Sequence, residues 1–157
     1  MGRSRGFTLI ETMIALSIAG MLALLAIPRL RSGMLQNNLR SARGSVVMLF
    51  QQAKMRAVQE TRTVTLNFDN ATGAVWITAK PRRSAGTATC GCDTVGTVQN
   101  LTTRYGVTLS VTPDASKAFV FDPRGIGDRG NEATTVRLIK SDYRDSVFVS
   151  KFGDVSR

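Results

Sequence analysis

The chain has 157 residues, with 21 Lys and Arg against 11 Asp and Glu, a formal net charge of +10, two cysteines and no histidine. That length accommodates one small domain with its own core beside an anchoring helix, and argues against a second domain. Two cysteines without histidine exclude a complete four-ligand Cys/His zinc site within one chain, and the missing histidine removes the usual general base near neutral pH, so no enzyme and no cofactor are expected.

Arg3 and Arg5 precede an apolar run over residues 7–27 that carries a single charge, Glu11. At 1.5 Å of rise per residue this run forms a helix of roughly 30 Å, one hydrocarbon thickness. The leading arginines predict a cytoplasmic N-terminal tail, with everything after Pro28 outside. A plain secretory signal wants small residues at alternate positions before its cut, a pattern that Leu24 spoils. It also leaves Glu11 unexplained. A charge inside such a helix costs about 2.5–3.5 kcal/mol on insertion scales and calls for a partner.

The string Gly6-Phe7-Thr8-Leu9-Ile10-Glu11, followed by an apolar helix, resembles the type III signal of type IV pilins and of the pseudopilins of type II secretion. The resemblance implies that prepilin peptidase cuts after Gly6 and methylates the new terminus at Phe7, and that Glu11 serves subunit assembly. The α-amino group created at Phe7 would meet the carboxylate, within one helix or in a neighbouring subunit, where low dielectric demands pairing. The resemblance further implies a kink or local melting between Gly20 and Pro28 in a filament. Gly20 adds backbone freedom and Pro28 removes an amide donor, although a proline also suits a simple membrane exit.

From residue 28 to about Glu60, apolar residues recur at spacings of three and four, among them Leu39, Val46, Phe50 and Ala57. This predicts an amphipathic helix whose apolar stripe supports a sheet. Beyond it the period becomes two. Val64, Leu66 and Phe68, the turn "DNATG" and a return strand over 74–78 predict a hairpin, with Trp76 as a core or sheet-face anchor. Residues 80–98 read as a long surface loop, and further strands are expected at 106–111, 118–122, 134–139 and 146–152. The expected fold is α+β, a long N-terminal helix, membrane-embedded in its first half, packed on an antiparallel β-sheet domain. Its parts are a leader (1–6), a transmembrane and assembly helix (7–27), an amphipathic helix (28–60) and a β-rich domain (61–157).

Three motifs carry less than they suggest. Residues 125–130 match G-x-G-x-x-G, but a strand-like segment follows where a dinucleotide site needs a helix, so a glycine-rich turn is expected. Cys90 and Cys92 lie on the oxidising side, which favours a disulfide clip, although a Cys-Gly-Cys ring is tight. Asn70 and Asn100 match the glycosylation pattern, a short motif expected by chance.

The segments "TVTLNFDNATGAVWIT", "FVFDPRGIGDRG" and "VFVSKFGDVSR" resemble the GspH/FimT group of pilin-like proteins. The resemblance implies a minor pilin of a type IV pilus or a pseudopilin of type II secretion. Such a subunit crosses the inner membrane once with its C-terminal domain in the periplasm, and joins a filament after cleavage. Its partners would be prepilin peptidase, other pilins or pseudopilins and the membrane, with no small-molecule substrate. The alternative is a DNA-binding minor pilin of natural transformation. Losing Arg3 and Arg5 with the leader still leaves an excess of about eight positive charges, enough to favour phosphates. The basic residues include Arg82 and Arg83 in the loop and Arg124, Arg129, Arg137, Lys140, Arg144, Lys151 and Arg157 in the C-terminal third, and the candidates among them are Arg124, Arg129, Lys151 and Arg157. Some members of the FimT branch bind DNA through a C-terminal Gly-Arg-x-Arg motif; here the stretch is Gly153-Asp154-Val155-Ser156-Arg157, with Asp154 in place of the first arginine. A solvated basic surface is therefore the favoured reading, and the lack of a basic-aromatic repeat around Tyr105 or Tyr143 agrees with it.

Overall fold

The computed structural model describes residues 8–81, 92–113 and 118–156, the side chains of 25–28 excepted. The chain divides into two compact units, Met1–Gln36 and Asn37–Arg157. Helix α1 (Leu9–Glu60) contributes to both, and its helical backbone continues through Gly20 and Pro28. It ends in two reversed bonds, Thr61 N–H to the Val58 carbonyl at 3.3 Å and Arg62 N–H to the Ala57 carbonyl at 3.2 Å, with Thr61 at φ 50°. This is a Schellman closure with threonine at the left-handed position that glycine usually fills.

In the second unit two antiparallel sheets share one core with the C-terminal half of α1. The first contains β1 (Val64–Asp69), β2 (Ala74–Ala79), β3 (Asp93–Thr94), β4 (Gln99–Asn100) and β6 (Ala118–Phe121), in the order β3-β2-β1-β6 with β4 also pairing β2. The second contains β5 (Thr108–Thr112), β7 (Thr134–Lys140), β8 (Tyr143–Val149) and β9 (Val155–Ser156), in that order. Alternation buries Val64, Leu66 and Phe68 on β1 and Val147 and Val149 on β8, the half-buried pattern read from the sequence. Phe50 of α1 sits at the centre, its ring centroid 5.7 Å from that of Phe68 and 5.6 Å from that of Phe119.

The α+β expectation holds, but as two sheets rather than one. The expected loop at 80–98 contains β3, whose two exposed residues carry no alternation and are placed by backbone pairing to Thr78 and Ala79. A short helix, α2 (Leu101–Tyr105), precedes β5 in a stretch for which no element was expected. Asn100 caps it by accepting from Thr103 N–H at 2.8 Å, and Gly106 closes it at φ 63°. The last long strand runs earlier than 146–152, because a two-residue turn at Ser141 and Asp142 sets Lys140 opposite Tyr143, and the chain turns again at Lys151–Gly153. Trp76 is half-buried on the outer face of β2, a sheet-face anchor rather than a core residue.

Links between elements stiffen this unit. Arg43 Nη1 of α1 lies 3.3 Å from Asp145 Oδ2 of β8, Ser45 Oγ lies 2.8 Å from Tyr105 Oη, and Lys140 donates to the Tyr105 carbonyl. Asn70, in the β1–β2 turn, accepts from Val111 N–H at 3.2 Å and so ties the first sheet to the edge of the second.

Candidate functional site

Gly6 and Phe7 lie outside the described residues. Thr8 immediately precedes α1, and its hydroxyl accepts from Glu11 N–H at 3.3 Å. Thr8-Leu9-Ile10-Glu11 thus has the spacing of a capping box, a legible signal that sequence reasoning missed. Glu11 also sits in the first turn, where the helix dipole favours a negative charge.

Beyond this cap the helix is built for an apolar surrounding. Leu9, Ile10, Met13, Leu16, Met21 and Leu24 are each more than half exposed. The hydroxyls are absorbed internally, Thr12 donating to the Leu9 carbonyl and Ser17 to the Ile14 carbonyl, both at 2.8 Å. In hydrocarbon such internal satisfaction is required. Among the described residues nothing pairs with the Glu11 carboxylate, and α1 is the one helix long and apolar enough to cross a membrane.

A second constellation lies at the C-terminal end of the domain. The loop between β6 and β7 is folded by Asp122, whose Oδ1 accepts from Arg124 N–H and Ile126 N–H, both at 2.9 Å. Gly125 turns at φ 77° beside Val58, and Gly127 donates to the Phe152 carbonyl at 2.8 Å. These bonds stitch the loop to the turn after β8. Arg124, Arg129 and Lys151 thereby line one open cleft of about 610 Å³ together with Ile126, Phe152 and the acids Asp122 and Asp128. Lys151 Nζ stands 5.0 Å from the Phe152 ring centroid, and Arg124 Nε 3.5 Å from Asp122 Oδ2.

Three of the four basic residues singled out in the sequence therefore meet, while Arg157, like Arg82 and Arg83, lies outside the described residues. Sequence reasoning missed Ile126 and Phe152, which no motif marks. Asp154, the acid at the second position of the C-terminal stretch, lies 3.8 Å from Lys54 Nζ of α1. The glycine-rich segment 125–130 is a loop between strands, as expected, and Gly125 and Gly127 in it serve close packing. Cys92 is disulfide-bonded, and Cys90 lies outside the described residues.

Residues 1–27 match the model of the prokaryotic N-terminal methylation motif. Residues 42–153 match the model of the type II transport protein GspH. The chain belongs to the GspH family. No curated protein matches it. Among solved structures, this GspH-family chain is similar to the type IV minor pilin FimU of Pseudomonas aeruginosa, at 17% identity over 77% of this chain and 88% of FimU, with a TM-score of 0.55. It is also similar to the minor pseudopilin EpsH of the type 2 secretion system of Vibrio cholerae, at 12% identity over 76% of this chain and 94% of EpsH, with a TM-score of 0.55. At these identities the likeness establishes the pilin-like fold. These neighbours are structural subunits, a minor pilin and a minor pseudopilin, not enzymes.

Proposed function

We propose that this protein is a minor pilin or pseudopilin of a type IV pilus or a type II secretion pseudopilus. Prepilin peptidase cuts after Gly6 and methylates Phe7. Residues 7–27 then hold the chain in the inner membrane, with the domain in the periplasm, until assembly draws that helix into a filament. The observation that carries this reading is Glu11, a carboxylate without a partner among the described residues, in the first turn of an exposed apolar helix that lies within the methylation-motif match. A neighbouring subunit's terminal amine is the cation that would compensate it as helices stack. Glu11→Gln is expected to insert and be processed normally but to enter filaments at a small fraction of the wild-type level. Normal incorporation would reject the role.

A second reading is favoured by one feature, the meeting of Arg124, Arg129 and Lys151 around a cleft with an exposed aromatic. A DNA-uptake pilin would place phosphates there. The full chain in detergent should then bind duplex DNA with an affinity that falls steeply as salt rises, and Arg124→Glu with Lys151→Glu should abolish it. Absence of binding at low salt would leave the cleft without this role.

A further inference from the structure

The outer face of the second sheet is independent of both sites. Burial of Val136, Leu138, Val147 and Val149 sends Thr135, Arg137 and Ile139 of β7, and Arg144, Ser146 and Phe148 of β8, to the opposite side. Register sets Thr135 beside Phe148, Arg137 beside Ser146 and Ile139 beside Arg144. Arg137 and Arg144 are therefore diagonal neighbours, about 7–8 Å apart at the backbone. Both are exposed, and Phe148 on the same face is 43% exposed. A depression of about 430 Å³ is lined by Arg137, Ile139, Arg144, Asp145 and Ser146. The acid among these residues, Asp145, is held by Arg43 of α1 at 3.3 Å. Two guanidinium groups thus share a sheet face on which the six outward residues of β7 and β8 include no carboxylate.

We infer that this face docks an acidic segment of a different filament subunit. Phe148 anchors the contact, and Arg137 and Arg144 receive its carboxylates. The inference rests on the filament-subunit reading and names a surface through which such a subunit meets its neighbour. Arginine beside an exposed aromatic is the composition that dominates binding energy at protein interfaces, and guanidinium groups pair bidentately with carboxylates. A nucleic-acid backbone fits less well, because two cations neutralise only two phosphates where a phosphate-driven binder uses roughly six to ten. A second copy fits less well too, since the chain has 21 basic against 11 acidic side chains and copies repel.

The test uses the full chain in its own cell, with a photo-crosslinking phenylalanine analogue placed either at position 16, on the apolar helix, or at position 148. The expected result is an adduct from position 148 to another pilin-like subunit, mapped by mass spectrometry to a peptide rich in Asp and Glu. Arg137→Glu with Arg144→Glu should lower its yield about tenfold or more, while the adduct from position 16 persists. An adduct from position 16 with none from 148 would overturn the docking face and leave the filament reading intact. The docking face also fails if the adduct from 148 joins only nucleic acid or copies of this chain, or is indifferent to charge reversal. Loss of adducts at both positions would remove the filament reading and this inference with it.

Discussion

A Cβ on Gly127 would lie 2.2 Å from the Lys151 carbonyl oxygen. The two residues are on separate loops, and their contact holds the cleft of Arg124, Arg129 and Lys151 together. The nearest atoms belong to backbone, so no side-chain rotation relieves the clash. Gly127→Ala should destabilise the domain by about 1–3 kcal/mol, the usual cost of overpacking. Denaturant unfolding of the full chain in detergent measures this, and hydrogen exchange should localise the loosening to residues 122–131 and 150–154.

Asn70 lies in a turn of the first sheet, yet its Oδ1 serves Val111 N–H of the second at 3.2 Å. Asn70→Ala removes that acceptor from a partly buried amide and should cost about 1–3 kcal/mol. Asn70→Asp keeps an acceptor oxygen at the same reach and should recover most of the loss. Equal unfolding midpoints for the two variants would contradict the role assigned to this bond.

Thr61 ends α1 at φ 50° with a β-branched side chain, in a region that costs non-glycine residues roughly 1–2 kcal/mol. Thr61→Gly should therefore stabilise the domain. The greater freedom of glycine in the unfolded chain offsets part of the gain, leaving about 0.5–1 kcal/mol and a rise of a few degrees in the thermal midpoint.

Glu60 lies beside that helix end, where hydrogen bonds first from Arg62 and then from Arg56 hold its carboxyl below the usual carboxylate range. Arg62 also donates to the Lys80 carbonyl at 3.3 Å, so the pair links the helix terminus to the chain leaving β2. A depressed folded-state pKa contributes stability above the unfolded value, lost as pH falls through the folded value. On acidification below the ordinary carboxylate range, the wild type should lose more stability than Glu60→Gln. The two should run parallel near neutrality. Parallel acid transitions throughout would contradict the pairing.

Long, regular patterns made their elements legible in one dimension. The end of α1 at Glu60 followed from where the spacing of three and four gives way to two. The β1–β2 hairpin followed from alternation around "DNATG". What escaped were elements too short to show a period, such as β3 and α2, and the frame of β8, which depends on the turn at Ser141 and Asp142 rather than on its own side chains. In the candidate site, Glu11 stood out because a lone charge in an apolar run needs no tertiary contact to be seen.

By itself, then, the amino-acid sequence determined a chain with one apolar helix bearing a single early carboxylate, an amphipathic continuation and a basic β-rich domain, because periodicity and solvation act along the chain. Only the tertiary structure decided that Arg124, Arg129 and Lys151 share a cleft, that Asp154 answers Lys54, and that Arg137 and Arg144 lie diagonally on one sheet face. Those relationships depend on strand register and on glycine contacts between loops. A one-residue slip would turn every side chain of a strand to the other face, and no local propensity reports which register the packed core selects.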